Sequence, residues 1–94
     1  MKLHTSSHRI WMEDQEGREV AFVSFPARSG QTVEIVSTVV SPALRGQGVA
    51  GRLLEALAQQ LRAQEKTAIP LCSYAENWFS RHPEQSDLLW KPNL

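Results

Sequence analysis

Thr38-Val39-Val40-Ser41-Pro42-Ala43-Leu44-Arg45-Gly46-Gln47-Gly48-Val49-Ala50 runs from a β-branched segment, through a glycine loop, into an amphipathic one. Upstream, the β-branched run begins at Thr32. Thr32, Val33, Ile35, Val36, Thr38, Val39 and Val40 place apolar or branched side chains on both faces, which predicts a central strand over 32–40. Downstream, Val49, Ala50, Leu53, Leu54, Leu57, Ala58 and Leu61 recur at helical spacing. Arg52, Glu55, Gln59, Arg62 and Glu65 lie opposite, so a helix is predicted from about Val49 to Glu65.

The rest of the chain arranges itself around that strand and helix. Arg9 to Glu13 alternates, with Ile10 and Met12 on one face, and Glu19 to Phe25 sets Val20 and Phe22 against Ala21, Val23 and Phe25. Asp14-Gln15-Glu16-Gly17 between them is turn chemistry, so the two runs predict an antiparallel hairpin. Pro26 to Gly30 makes a second turn. After the long helix, Ala68 to Ser73 reads as a short strand. Pro70 removes a ladder donor from it, so it should lie at an edge or diverge from its neighbour. Tyr74 to His82 predicts a second helix that stops before Pro83, and Glu84 to Trp90 one further turn. Residues 1–8 are expected to fray as a terminus. The order is β-β-β-α-β-α over one domain, residues 1–94. A helix joining the last two strands should make them parallel through a right-handed crossover. The fold class is α/β (α+β): a small mixed sheet with two helices.

Composition narrows the function classes. The chain has 94 residues, 10 Lys plus Arg and 10 Asp plus Glu, with five of each sign before and after Gln47. There is no basic block to follow a phosphate backbone, so nucleic acid is not an expected partner. No apolar run approaches the ~20 residues of a membrane span, and no polybasic surface helix is present, so a membrane is not expected either. The single cysteine, Cys72, and an N-terminus without an apolar leader fit the cytoplasm.

The glycine loop carries the chemistry. Free amides at a helix N-terminus, together with the helix dipole, make an anion site that needs no net charge. Glycines admit a ligand close to the backbone, and Arg45 can add a charge-assisted contact. No Lys follows Gly48, which excludes a Walker loop. Gly46, Gly48 and Gly51 match a dinucleotide fingerprint formally, but the chain is too short for that domain. The plain alternative is that the glycines only shape a loop.

Arg45-x-x-Gly48-x-Ala50, after a β-branched strand and before an amphipathic helix, resembles the acetyl-CoA pyrophosphate loop of GNAT-type N-acetyltransferases. With Cys72-Ser73-Tyr74, Trp78-Phe79, His82-Pro83-Glu84 and Asp87-Leu88, the chain from about Arg9 to Leu89 is similar to a very small GNAT-like subfamily of about this length. The resemblance implies a minimal GNAT-like fold in which acetyl-CoA, as co-substrate, lies between two splayed parallel strands. It implies that Thr38, Val39 and Val40 hold the pantetheine, and that Arg45, Gly46, Gln47, Gly48, Val49 and Ala50 wrap the pyrophosphate. The activity implied is acetyl transfer to an amine acceptor, without a metal. Where larger members often carry an acid Tyr this chain has Phe79, and where they often carry Asn it has Cys72. In the small subfamily the resemblance makes a cysteine near the acetyl group an acyl carrier, and Cys72 is the sole candidate.

Two routes are then open: direct attack of the amine on the thioester, or attack by the Cys72 thiolate followed by resolution of an acetyl-cysteine. The plain reading of Cys72 is a small buried hydrophobe. Tyr74 could donate to the leaving thiolate or to the pantetheine, or simply pack. His82 could act as a base, yet His82-Pro83 also reads as a helix stop and restart. Glu34 could face the acetyl region or pair with a neighbouring strand, and the tryptophans fit a core or its rim. A non-catalytic CoA-binding module and a protein-interaction domain are the competing functions.

Overall fold

The computed structural model describes residues 1–92. Four strands, β1 (Lys2–Thr5), β2 (Arg9–Glu13), β3 (Glu19–Ser24) and β5 (Ser37–Val40), form an antiparallel sheet in the order β1-β2-β3-β5. A second, parallel pair joins β4 (Thr32–Ile35) to β6 (Thr67–Pro70). The helix α1 (Val49–Ala63) connects β5 to β6, α2 (Ser73–Arg81) follows, and short 3-10 turns cover Pro42–Leu44 and Pro83–Leu88.

Two expectations are corrected. Residues 2–5, read as terminus without secondary structure, form a strand: β1 pairs with β2 from Lys2↔Glu13 to Thr5↔Ile10, and the His4 ring stacks on Trp11 at 5.3 Å. The predicted strand over 32–40 is also not one strand. It breaks at Val36, because its two halves have different partners. Val33 and Ile35 pair with Ala68 and Pro70 of β6, whereas Ser37 and Thr38 pair with Ser24 and Val23 of β3. The Val36 N–H donates to Ser24 at 3.0 Å and starts the second ladder.

The core lies between the sheets and α1. Ile10, Val23, Phe25, Val33 and Ile35 from the strands meet Leu53, Leu54, Leu57 and Leu61 from the apolar stripe of α1, all fully buried. Ala75, Trp78 and Phe79 of α2 and Leu88 of the last turn complete the cluster. The C-terminal segment is tied down twice. Trp90 N–H donates to Ala68 at 2.9 Å, on the side of β6 away from β4. Arg62 of α1 reaches Asp87 Oδ2 and Gln85 Oε1, each at 2.6 Å.

Leu57→Ala should lower the free energy of unfolding by ~2–5 kcal/mol in urea melts, the cost of a core cavity. A second effect comes from charge. The Arg62 hydrogen bond holds the Asp87 carboxyl below its ordinary range; main-chain N–H bonds, Arg18 first, do the same for Asp14, and Arg9 for Glu19. A depressed folded-state pKa gives stability above the unfolded value that is lost as pH falls through the folded value. Thermal stability should therefore decline below about pH 4, and Asp87→Asn should make that decline shallower.

Candidate active site

The site begins where the parallel ladder stops. The Ile35 carbonyl accepts two N–H groups, from Leu71 at 2.9 Å and from Cys72 at 3.1 Å. Pro70, opposite Ile35, has no N–H to continue the ladder. Beyond this point β5 swings to β3 while the other chain turns into α2, so the two diverge and leave a V. Among the described residues no strand pairs with the open edge of β5, which ends the four-stranded order. Ser41 N–H donates to Val20 at 2.8 Å. Antiparallel bonding alternates, so the main-chain groups of Thr38 and Val40 face the open side.

Cys72 sits at the apex of the V as the N-cap of α2. Its Sγ accepts from the Ala75 N–H at 3.4 Å and lies 3.5 Å from Thr38 Oγ1 across the opening. These are its hydrogen-bond partners among the described residues. Its side chain is half-buried. His82 is the C-cap of the same helix, ten residues and about 15 Å further along its axis. There its Nδ1–H donates to the Trp78 carbonyl at 2.7 Å and its ring stacks on Trp78 at 4.3 Å. Glu34 bonds Arg28 at 2.9 Å. Neither supplies a base to the thiol. Phe79 is buried in the core against Trp78, edge to face at 5.1 Å.

The other end of the V is the N-terminus of α1. Gly48 is its N-cap at φ 76°, Gly46 stands at φ 83°, and no side chain caps the helix. Its first turn holds no acidic residue. The amides of Val49, Ala50 and Gly51 precede the first intrahelical bond, from Arg52 N–H to the Gly48 carbonyl at 3.2 Å, and so remain available to an anion. A cleft of about 590 Å³ joins the two ends. It is lined by Thr38, Val39, Val40, Arg45, Gly46, Gly48, Val49, Ala50 and Tyr74, together with Leu44. The expected nucleophile Cys72 does not itself line the cleft but touches Thr38, which does; of the residues expected at the cofactor, Gln47 alone does not line it. Its Nε2 folds back to the Ala43 carbonyl at 3.4 Å. Leu44 was not foreseen; it packs against the core from the 3-10 turn. An apolar residue between Pro42 and Arg45 was the available signal. Among the described residues no group of three His, Cys, Asp or Glu side chains could hold a metal ion.

The sequence matches the family described as GCN5-related N-acetyl-transferase over residues 9–88. The chain belongs to this family of N-acetyltransferases. Curated proteins provide no match. Among solved structures, a GCN5-like protein from Staphylococcus aureus superposes with a TM-score of 0.78 at 23% identity, covering 98% of this chain and 90% of its own. A GNAT-family N-acetyltransferase from Escherichia coli, solved with CoA, gives 0.66 at 23% identity over 78% of this chain. N-Acetylglutamate synthase from Neisseria gonorrhoeae, solved with CoA and N-acetylglutamate, gives 0.65 at 20% over 84%. This chain spans only 43% and 21% of those two larger proteins. The shared fold includes the antiparallel sheet and the separate parallel strand pair.

The backbone geometry makes opposite forecasts for two glycines of the loop and helix. Gly48→Ala places a Cβ on a left-handed residue and should cost ~1–2 kcal/mol. Gly51 lies inside α1 with no atom within 4 Å of an added Cβ, so Gly51→Ala should add about 0.5–1 kcal/mol. Both are read from denaturant midpoints.

Proposed function

We propose that this protein transfers the acetyl group of acetyl-CoA to an amine, by way of Cys72. The observation that carries the reading is the continuity of the cleft. At one end stand uncapped helix amides with Arg45, suited to a pyrophosphate. Along its length runs the open edge of β5, to which the two amides of pantetheine can bond as an added strand would. At the apex Thr38 lines the cleft, and its Oγ1 lies 3.5 Å from Cys72 Sγ just behind it. Family membership and the CoA-bound neighbours support the same occupant.

In the first step the Cys72 thiolate attacks the thioester carbonyl, the carbon–sulfur bond to CoA breaks, and CoA leaves as a thiolate that takes up a proton. In the second, the neutral amine attacks acetyl-Cys72, the new carbon–nitrogen bond replaces the thioester, and the amine's surplus proton passes to water as the cysteine returns. The Ala75 N–H, 3.4 Å from Sγ, holds the sulfur in place at the N-terminus of α2 in both steps. Among the described residues no side-chain base bonds Cys72, so the amine enters already neutral or gives its proton to water. Val36 and Leu71 are exposed beside the point where the strands part, so the acceptor is met at a shallow surface. A shallow site suits an amine carried on a macromolecule.

Intact-protein mass spectrometry after incubation with acetyl-CoA tests the route. Wild type should gain one acetyl group and lose it on addition of an accepting amine, and Cys72→Ser should gain none. Amine acetylation by Cys72→Ser at the wild-type rate means direct transfer instead. Gly48→Glu should weaken CoA binding by about 100-fold, because charge-assisted hydrogen bonds worth ~1.5–3 kcal/mol each give way to repulsion. Gly48→Ala serves as the control for backbone strain. Retained binding in Gly48→Glu removes the loop from the site.

A further inference from the structure

We propose that the outer mouth of the V is an apolar subsite, built by Val36, Leu71 and Trp90, for a large apolar side chain next to the lysine that a polypeptide acceptor presents. The inference rests on the acetyl-CoA reading above and adds to it the chemical class of the acceptor.

Strand alternation makes the patch. In β4 and β6, Val33, Ile35 and Ala68 are buried in the core. Glu34, Val36, Ile69 and Leu71 therefore face the opposite, outer side. Glu34 stands opposite Ile69 and Ile35 opposite Pro70, so Val36 and Leu71 come side by side where the strands part. Trp90 joins them from the C-terminal segment. Its N–H bonds Ala68 and Leu89 before it packs against the core, so its ring takes the outer side, 5.8 Å from the Arg28 guanidinium.

Exposed apolar surface is concentrated at this mouth. Among the described residues seven large hydrophobic side chains are exposed. Met1 and Leu3 lie on or beside β1, and Val39 and Tyr74 line the co-substrate cleft. The other three are Val36, Leu71 and Trp90.

The reaction says what covers the patch. The co-substrate cleft is lined from β5, from α1 with the loop before it, and from Tyr74 of α2. An amine attacking the acetyl group at the apex comes from the other side, over Val36 and Leu71. Cys72 is half-buried behind Thr38, so that amine must arrive on a stem, and the apolar stem of lysine suits a path between two apolar side chains. Charge argues for an apolar neighbour to the lysine. Arg28 and Glu34, the charged side chains flanking the patch on this face, are paired with each other at 2.9 Å. They leave no free charge to select an acidic or a basic sequence. A large aliphatic or aromatic neighbour gains by covering Leu71 and Trp90, whereas a charged one loses hydration and finds no partner.

Initial rates on short lysine peptides, blocked at both ends, test this with the full chain and acetyl-CoA. The residues flanking the lysine are Leu, Ser, Glu or Arg. The Leu peptide should show a kcat/KM at least about tenfold above the Ser peptide, and the Glu and Arg peptides should be no better than Ser. Leu71→Ser and Trp90→Ser should each bring the Leu-to-Ser ratio toward one. Both side chains are exposed, so the variants are expected to fold, which thermal melts check. Methylamine serves as an acceptor with no neighbour to place. Equal kcat/KM for the four peptides, a preference for the Glu or Arg peptide, or acetylation of methylamine but of no peptide overturns the inference and leaves the acetyl-CoA reading standing. An unchanged ratio in both folded variants does the same. Neither acetyl-Cys72 nor an acetylated amine, with any acceptor, overturns the acetyl-CoA reading and the inference together.

Discussion

One carbonyl group decides the shape of this molecule. Ile35 is the last residue of β4, and its oxygen receives the N–H groups of both Leu71 and Cys72. A main-chain oxygen that takes two donors from adjacent residues cannot be followed by a regular parallel ladder, which spaces its bonds evenly. Pro70 immediately before them has no donor at all. The strands must part, and the next residue, Val36, gives its N–H to Ser24 of the other sheet. The cleft, the free edge of β5 and the placing of Cys72 at the apex are consequences of that switch of partner.

The helix α1 makes the opening useful. Its apolar stripe packs across β2, β3 and β5 and fixes the helix against the sheet. The same packing sets its N-terminus beside the open edge of β5, so helix amides and strand amides face one cleft. Gly46 and Gly48 are needed at that corner because the chain there takes positive φ, which side-chain-bearing residues adopt only at a cost. The ligand-facing surface is built mostly from main chain.

The long helix was legible because seven apolar residues recur at helical spacing, and the seven are the buried residues of α1. The hairpin was legible from alternation around Asp14 to Gly17, and the loop from its glycines. The break at Val36 was not. A run of β-branched residues favours strand at every position, and only competition between two neighbouring strands for the same backbone divides it. Nor was β1, whose Lys2-Leu3-His4-Thr5 has little apolar signal and becomes a strand through its pairing with β2. Within the loop, composition identified the segment but not the direction of each side chain. Gln47 folds back onto Ala43 while Leu44 turns to the cleft and core, an outcome set by the left-handed glycines between and after them. The patch that Val36, Leu71 and Trp90 share depends on how the C-terminal segment lies against β6, which neither segment states alone.

A site made of amides, one thiol and one arginine explains how so short a chain can hold it. Side-chain constellations need a second shell to fix each rotamer, and that shell takes additional elements. Backbone donors are fixed by the secondary structure that carries them. Here β5 and the first turn of α1 supply the donors, and the hydrogen bonds that hold them are those of the fold. Only Cys72 needs individual placement, and two local contacts provide it: the Ala75 N–H from its own helix and Thr38 from the opposite strand. The thiol at the apex thereby shares its position with the ladder break. Any substitution that moves Ile35 relative to Leu71 shifts the nucleophile and the mouth of the cleft together.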